Sequence, residues 1–399
     1  MVSQVKEDRI WVDGCFDFAH HGHAGAMLQA RQLGNELYVG VHNDEDIEAN
    51  KGPVVMTLQE RMSAVEACKW CTKAISDAPY VTQPEFMDSY GCKYVVHGDD
   101  ITTDADGNDC YRIVKDMGRF LVVKRTPNIS TTDLVGRMLS TTSTSHHIPP
   151  FAPSLSKKIT QDELAGLHLS PELVEKFRLY ATAEDGKTAH SGVYVWSDSG
   201  VSELIEPSDK IRQQLTQDKK VFYVDGGFDL FFMGHIEFLR AVRQLADEQG
   251  AIIVVGIHDD STVNNSNGKN YPIMNLFERA LCVLQCKYVD SVVLSAPWSP
   301  NAAFLNALKP TINVSKILHG PTSIEAQGKS ELQNPYEDAK ALGLYTEIGA
   351  HPYDHIQSEA LVDRVLRHRE AYEERQRKKG WKSENELKIK ALEEASSNQ

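Results

Sequence analysis

The chain has 399 residues, 41% hydrophobic and 25% charged, an ordinary globular composition whose length suggests two or three domains. Its formal net charge is −14, whereas a nucleic-acid-binding protein normally presents a basic face, so we expect no nucleic-acid partner. An acidic chain can still bind a nucleotide, because a local cluster of donors is enough to make a phosphate site.

Nothing in the sequence predicts membrane insertion or a disulfide framework. The opening stretch MVSQVKEDRI is polar, and no apolar run approaches the roughly 18 residues that span a bilayer. The seven cysteines are scattered, and Cys68 and Cys71 form a single CxxC pair. Since a structural zinc site needs four ligands, we interpret the pair as part of the core. A reduced, cytoplasmic protein is predicted.

The first predicted strand covers residues 9–14 and leads into Asp13–Asp17 (DGCFD), after which a helix begins at His20–His23 (HHGH). In α/β sheets, nucleotides bind at the carboxyl ends of strands, and a helix N-terminus offers free N–H groups to phosphate. The histidines add imidazole donors, and Gly22 lets a phosphate approach the backbone. Histidines are also ordinary helix caps, but their position after a DGxFD strand favours a phosphate site.

The next elements alternate between strands and helices. ELYVGVH at 36–42 is a predicted strand, residues around 57–70 are a predicted helix, and YVVHG (94–98) and FLVVKRT (120–126) are further strands. This alternation predicts an α/β fold, a parallel sheet with helices on both faces. Residues 144–217 follow as a proline-containing linker with one predicted helix within 170–183.

After the linker, the chain repeats itself. IWVDGCFDF at 10–18 matches FYVDGGFDL at 222–230, and VGVHND at 39–44 matches VGIHDD at 255–260. Further collinear matches indicate two copies of one domain. We therefore divide the chain into a catalytic domain (8–143), a linker (144–217), a second, degenerate domain (218–368) and a charged tail (369–399). The tail lacks the sustained apolar face of a membrane-binding helix.

DGCFDFAHHGH resembles the HxGH signature of the cytidylyltransferase family, and Arg125–Thr132 (RTPNISTT) resembles its second signature, RTxGISTT. The resemblance covers both copies and implies two tandem Rossmann-like nucleotidyltransferase domains. Asn128 departs from the family's usual glycine. Asparagine tolerates a left-handed backbone better than most residues, so we expect the loop to survive the change.

The resemblance implies a specific reaction. A phosphate oxygen of a phospho-alcohol attacks the α-phosphorus of CTP, and pyrophosphate leaves. No general base is required, because a phosphomonoester is mostly ionised at neutral pH. Catalysis then depends on alignment and on neutralising phosphate charge. Mg²⁺ is expected with the triphosphate, although the sequence shows no ligand set for it.

By the same resemblance, His20 and His23 hold the triphosphate, Lys51 bridges the phosphates of both substrates, and Arg125 pairs with the departing phosphates. These four are the predicted catalytic residues. A solvated loop lysine is the plain alternative for Lys51. The residues predicted to bind CTP are Gly14, Cys15, Phe16, His20, His23, Gly98, Asp99, Arg125, Thr126, Ser130 and Thr131.

The acceptor is predicted from an aromatic cage that is incomplete. Choline-type relatives hold a trimethylammonium group in such a cage, and the resemblance places one cage position at Tyr80 and another at 101–103, which contains no aromatic residue. A primary ammonium instead needs carboxylates and hydroxyls. Phosphoethanolamine is therefore predicted, giving CDP-ethanolamine for phosphatidylethanolamine synthesis. Its predicted binding residues are Asp13, Lys51, Tyr80 and Asp99, with Asp100 as an alternative to Asp99.

The second copy has lost parts of this site. It has Phe232–His235 (FMGH) in place of HHGH, and residues 348–366 keep no RTxxIS pattern, although Lys269 could correspond to Lys51. We expect this copy to be structural or regulatory and to pack against the first, and a homodimer remains an option. Alternative functions are transfer to phosphocholine or glycerol 3-phosphate, or non-catalytic nucleotide sensing. The family role implies a cytoplasmic protein attached peripherally to the endoplasmic reticulum.

Overall fold

In this computed structural model, the structure describes residues 5–151, 154–321, 334–374 and 377. The strands of the first repeat are β1 (Lys6–Gly14), β2 (Glu36–Val41), β3 (Lys73–Ser76), β4 (Cys92–Gly98) and β5 (Phe120–Val123). Its helices are α1 (His21–Gln32), α2 (Asp44–Lys51), α3 (Leu58–Ala67), α4 (Pro84–Ser89), α5 (Arg112–Asp116) and α6 (Thr131–Leu139). The strands are all parallel, in the order β3-β2-β1-β4-β5.

This strand order places the functional site. The chain crosses from β1 to one side through β2 and β3, and to the other side through β4 and β5. The crevice between β1 and β4 therefore opens at their carboxyl ends, where doubly wound sheets bind ligands. β1 is buried at Ile10, Trp11 and Val12, a continuous apolar run typical of a strand covered on both faces.

The second sheet contains the equivalent strands and an addition. After the first repeat come α7 (Pro171–Tyr180), β6 (Gly192–Ser197), β7 (Gly200–Ile205) and α8 (Asp209–Thr216). The second repeat then contains β8 (Val221–Gly226), α9 (Met233–Gln249), β9 (Ile252–His258), α10 (Asp260–Asn267), α11 (Leu276–Leu284), β10 (Ser291–Ala296), α12 (Ala302–Leu308), β11 (Val314–His319), α13 (Glu337–Ala341), β12 (Tyr345–Glu347) and α14 (Ser358–Arg367). Short 3-10 helices occur at Asp17–Ala19, Gln161–Glu163, Ala165–Leu167 and Asp229–Phe231. The strand order is β12-β11-β8-β9-β10-β6-β7.

The predicted class is confirmed, because β12-β11-β8-β9-β10 repeats the order of the first sheet. The helix predicted within 170–183 is present as α7. The sequence analysis did not predict β6 and β7. β6 pairs parallel with β10 and β7 pairs antiparallel with β6, so the segment between the repeats extends the second sheet. The predicted domain boundaries themselves stay a prediction, and most of the predicted tail lies outside the described residues.

The two repeats pack together through matching segments. The Lys69 N–H donates to the Gln285 carbonyl at 2.9 Å, and the Lys287 N–H donates to the Ala67 carbonyl at 2.9 Å. One hydrophobic core contains buried side chains of both repeats, among them Cys68. The predicted internal packing is therefore confirmed.

The CxxC pair lies at this interface. Cys68 is buried and lies opposite Cys286, and both thiols are free. Within the described ranges, no group of three or more histidine, cysteine or acidic side chains could hold a metal ion. Nor does any helix in this part of the chain combine the length and the apolar character needed to cross a membrane.

Candidate active site

A cavity of about 240 Å³ opens at the carboxyl ends of β1 and β4 in the first repeat. It lies between the loop after β1, the start of α1, the end of α2 and the start of α6. Its lining includes most of the predicted site residues, namely Asp13, Gly14, Cys15, Phe16, His20, His23, Lys51, Gly98, Arg125, Thr126, Ser130 and Thr131. The two signature motifs, which are far apart in sequence, therefore meet at one cavity.

The loop after β1 holds an unusual backbone. Phe16 adopts a left-handed conformation with φ of 59°, which non-glycine residues rarely take without external support. Support comes from Arg61, whose fully buried guanidinium donates to the Cys15 carbonyl at 2.7 Å. The Asp17 carboxylate adds a second anchor by accepting from the Met56 N–H at 3.0 Å. The first turn of α3 and the segment before it thus fix the loop that carries the first motif.

His20 is held as a hydrogen-bond donor. It caps α1, with Nδ1 accepting from the Gly22 N–H at 3.1 Å, so we assign the ring proton to Nε2. Nε2 is buried and has no hydrogen-bond partner among the described residues. Burial, helped by the neighbouring His23, lowers the pKa of His20 well below the usual imidazole value. At neutral pH, His20 is an uncharged imidazole that lines the cavity and whose N–H has no acceptor among the described residues.

His23 has the same character. Its ring stacks on that of His20 with centroids 3.9 Å apart, and its buried Nδ1 also has no partner among the described residues. Burial, together with the positive charges of Lys51 and Arg125, lowers the pKa of His23 to about 3. Buried nitrogens without partners are costly, and a phosphate oxygen is a group that could satisfy them.

Lys51 and Arg125 supply positive charge. Lys51 is the last residue of α2, and its Nζ lies 3.6 Å from the Cys15 sulfur and 5.7 Å from the centroid of the Tyr80 ring. Arg125 is 43% exposed at its side chain and lies 3.4 Å from an oxygen of Asp100. Both cations therefore lie at the cavity within reach of an anionic ligand.

The second motif forms the turn into α6. Asn128 has a φ of 63°, which confirms the predicted left-handed backbone at this position. Ser130 caps α6 by accepting from the Asp133 N–H at 3.1 Å. Thr131, the first residue of the helix, lines the cavity. The N–H groups and partial positive charge at the start of α6 suit a phosphate.

Asp13, predicted to bind the acceptor substrate, is buried and surrounded by hydrogen-bond donors of the protein. Its carboxylate accepts from the Tyr111 hydroxyl at 2.8 Å, the Thr82 hydroxyl at 2.7 Å and the Trp11 indole N–H at 2.9 Å. It lines the cavity with its hydrogen-bonding capacity largely used. A ligand ammonium would have to share these oxygens.

The structure does not bring Tyr80 and Asp99 to the cavity surface. Tyr80 is 7% exposed, and its ring lies beside Lys51. Asp99 is exposed and accepts from the Arg125 N–H at 3.3 Å. Asp100, the alternative to Asp99, is the carboxylate that lines the cavity. The roles predicted for Tyr80 and Asp99 stay predictions.

Several lining residues were missed by the sequence analysis. His97, Thr102 and Lys124 belong to the lining, as does Asp17. Lys124 adds a third cation, and its position next to Arg125 was the available signal. His97 had been placed on the neighbouring strand end but not assigned to the site. The missed residues extend the same cavity and do not form a separate one.

The second repeat has a cavity of about 290 Å³ at the equivalent place. Phe232 precedes α9 where His20 precedes α1, and no lysine or arginine occurs among the described residues that line this cavity. The suggested correspondence of Lys269 to Lys51 is wrong. Asn267 ends α10 as Lys51 ends α2, and Lys269 follows the glycine after that helix end. Matching the helix ends of the two repeats, rather than choosing the nearest lysine, identifies Asn267 as the equivalent of Lys51.

Comparisons with known proteins agree with this architecture. The family model described as cytidylyltransferase-like matches residues 11–137 and 223–376, one match in each repeat. An ethanolamine-phosphate cytidylyltransferase of Dictyostelium discoideum is 39% identical over 381 residues, covering 95% of this chain and 96% of that protein. One of Mus musculus is 39% identical and covers 93% of this chain and 89% of its own length.

A choline-phosphate cytidylyltransferase of Arabidopsis thaliana is 42% identical over 143 residues, only 34% of this chain and 46% of that protein. Choline-type similarity is thus partial, whereas similarity to the tandem relatives runs through both repeats. Two family matches and near-full-length identity lead to one conclusion. The chain belongs to the cytidylyltransferase-like family and, within it, to the ethanolamine-phosphate cytidylyltransferases.

Proposed function

We propose that this protein transfers the cytidylyl group of CTP to phosphoethanolamine, giving CDP-ethanolamine and pyrophosphate, and that the chemistry occurs in the first repeat. The observation that carries the proposal is the cavity beside β1, which brings His20, His23, Lys51 and Arg125 together in a chain that is similar over nearly its full length to ethanolamine-phosphate cytidylyltransferases.

The reaction is an in-line displacement. An oxygen of the phosphoethanolamine phosphate attacks the α-phosphorus of CTP, a new P–O–P bridge forms, and the bond to the β-phosphate breaks. Because the attacking monoester is already ionised, the site has to supply alignment and charge neutralisation rather than a base. The low pKa of His23, about 3, fits this need. A buried imidazole with so low a pKa stays neutral at pH 7, so it can donate a hydrogen bond but is a poor base.

Each group then has a distinct role. His20 and His23 donate N–H bonds to oxygens of the triphosphate, whose charge grows on the leaving side. Lys51 neutralises the oxygens shared by the two substrates, and Arg125 pairs with the departing pyrophosphate. The start of α6, with Ser130 and Thr131, adds hydroxyl and N–H donors. The loop after β1, which includes Gly14, Cys15 and Phe16, binds the cytosine and the ribose.

Mg²⁺ is part of the proposal as a companion of CTP. The carboxylates near the cavity are occupied: Asp13 by side-chain donors, Asp17 by backbone N–H groups, and Asp100 by Arg125. These residues do not make a protein cage for the ion. Its ligands would be phosphate oxygens and water, the usual preference of Mg²⁺ beside nucleotides, and no step above passes through it.

The predicted cytoplasmic location, with peripheral attachment to the endoplasmic reticulum, and a homodimer also remain proposals. The proposed location rests on the family's role in lipid synthesis.

The test is pyrophosphate release from CTP and Mg²⁺ with phosphoethanolamine, phosphocholine or glycerol 3-phosphate as acceptor. We expect a strong preference for phosphoethanolamine and a loss of about 10²–10³ in rate for His23→Ala. The matched control is His235→Ala, the same change at the same helix position of the second repeat, which should keep nearly full activity. Turnover of phosphocholine instead would refute the acceptor, and no turnover of any acceptor would refute the reaction.

A further inference from the structure

An arginine of the second repeat reaches into the first. Arg364, on α14, donates from its two terminal nitrogens to the two oxygens of Glu60 at 2.7 and 2.9 Å. One of these nitrogens also donates to the Val55 carbonyl at 3.1 Å. Glu60 is 7% exposed at its side chain, so this is a largely desolvated, bidentate pair, the geometry that gives arginine–carboxylate contacts their specificity.

An equivalent contact extends from the first repeat to the second. Arg137, on α6, donates to both oxygens of Glu278 at 2.6 and 2.8 Å and to the Ile273 carbonyl at 2.9 Å. Each repeat thus forms a bidentate ion pair with the other through an arginine on its last helix. Because α6 also carries Ser130 and Thr131, this second contact braces the phosphate-facing helix of the first repeat.

The segment that Arg364 holds is the one that follows Lys51. Glu60 also accepts from the Thr57 N–H at 2.8 Å, which caps α3. Upstream, the hydroxyl of Tyr372, which follows α14 in the chain, donates to the Pro53 carbonyl at 3.1 Å. Residues 53–60 therefore have several anchors on α14 and just after it, and their Met56 N–H in turn holds Asp17 of the motif loop.

The chain turns away from α2 directly after Lys51, where the Gly52 N–H closes the helix by donating to the Glu48 carbonyl at 3.2 Å. The next residue, Gly52, has a φ of 96°, and a side chain there would meet nothing within 4 Å, so the turn after Lys51 is open. The direction of the chain leaving α2 therefore also depends on where residues 53–60 are held, by Asp17 of the first repeat and by Arg364 of the second. A cation that must bridge two phosphates loses effect when it is displaced by an ångström, because such a displacement can cost about 10²-fold in rate.

We propose that Arg364 is a positioning residue for cytidylyl transfer: by clamping residues 53–60 it sets the position of Lys51 and of the loop after β1. This inference rests on the proposed function. The second repeat then contributes to the reaction through its last helix and not through its own cavity.

The test compares Arg364→Met with Arg212→Met. Arg212, on α8, pairs with Glu203 on β7 at 3.0 Å, with side chains 38% and 10% exposed, against 31% and 7% for Arg364 and Glu60. For Arg364→Met we expect kcat to fall about 10- to 100-fold with the KM for CTP within about threefold. Arg212→Met should stay within about twofold of the parent, and Arg364→Lys, which keeps the charge but not the fork, should recover part of the loss.

Hydrogen exchange gives a readout that does not depend on activity. Amides of residues 52–60 should exchange faster in Arg364→Met and unchanged in Arg212→Met, at a temperature where both variants are folded. Should Arg364→Met fail to fold, Tyr372→Phe removes the hydroxyl on Pro53 and should give the same pattern more weakly. Unchanged exchange in 52–60, or a kcat loss equal to the unfolded fraction, would overturn the proposal. If the parent protein lacked cytidylyl transfer, the proposed function would fail, while the exchange data would still decide whether Arg364 orders the segment.

Discussion

Asp13 and Asp225 stand at equivalent positions near the ends of β1 and β8, one in each repeat. Asp13 accepts three hydrogen bonds from protein donors. Asp225 accepts one, from Tyr336 at 2.6 Å, and its other oxygen is buried without a partner among the described residues. Burial raises the pKa of Asp225 to about 7. The two equivalent carboxylates thus differ in their hydrogen bonding: protein donors satisfy Asp13 well and Asp225 poorly.

Two substitutions account for this difference. Trp11, whose indole donates to Asp13, corresponds to Tyr223, whose hydroxyl is buried without a partner among the described residues. Thr82, a second side-chain donor to Asp13, aligns with Pro300, which has no donor at all. The second repeat has kept the buried acid but lost the donors around it.

Groups that hold the backbone have not diverged in this way. Arg61 and Arg279 are both fully buried and brace the loops after β1 and β8 through the carbonyls of Cys15 and Gly227. A repeat can therefore keep the interactions that shape its fold while it loses those that serve a ligand. The predictions below use one repeat as the control for the other.

The largest expected effect is His20→Phe, which introduces into the first repeat the residue found at Phe232. Phenylalanine cannot donate to a phosphate, and removing one donor of this kind lowers the rate by about 10²–10³. Steady-state cytidylyl transfer measures it. The reverse change, Phe232→His, should not restore turnover to a His20→Phe protein, because no lysine or arginine lines the second cavity among its described residues. Restored turnover would show that the second cavity can also work.

The next effect separates the two lysines. Lys51→Asn, which copies Asn267, should lower kcat/KM about 10²-fold through loss of charge at the phosphates. Lys269→Asn is the matched control and should leave kcat/KM within about twofold. An equal loss in both variants would contradict the assignment of Asn267 as the counterpart of Lys51.

The smallest effect concerns stability. The pKa of Asp225 is raised from near 4 to about 7, so the folded state binds more protons than the unfolded state between these values. Stability therefore falls as pH rises through this window, and the cost persists above pH 7. Asp225→Asn should remove it, raising the free energy of unfolding at pH 8 by about 2–4 kcal/mol, with little change at pH 4.

Urea unfolding at the two pH values measures this effect. Asp13→Asn is the control of opposite sign, because an amide offers one acceptor oxygen to three donors, and it should destabilise the protein. A loss of stability in Asp225→Asn at pH 8 would show that the carboxylate has donors that satisfy it after all.

The sequence could not distinguish between neighbouring residues as members of the site. An acidic residue after β4 was predicted to bind the acceptor, but the sequence could not choose between Asp99 and Asp100. Beyond a strand end the alternation of faces no longer holds, so the choice depends on how the loop meets Arg125. The same limit applied to Lys269, where a turn of two residues moved the lysine away from the helix end that carries Asn267.

The sequence alone determined the two repeats and the parallel α/β class, because these follow from local periodicity and from helix and strand termini. That the HHGH and RTPNISTT motifs share one site was implied by the family resemblance. Only the tertiary structure decided that β6 and β7 extend the second sheet and that Arg364 and Arg137 grip the opposite repeat. Such pairings join residues far apart in the chain. Their energy depends on burial and geometry at an interface, and no local pattern of residues encodes either.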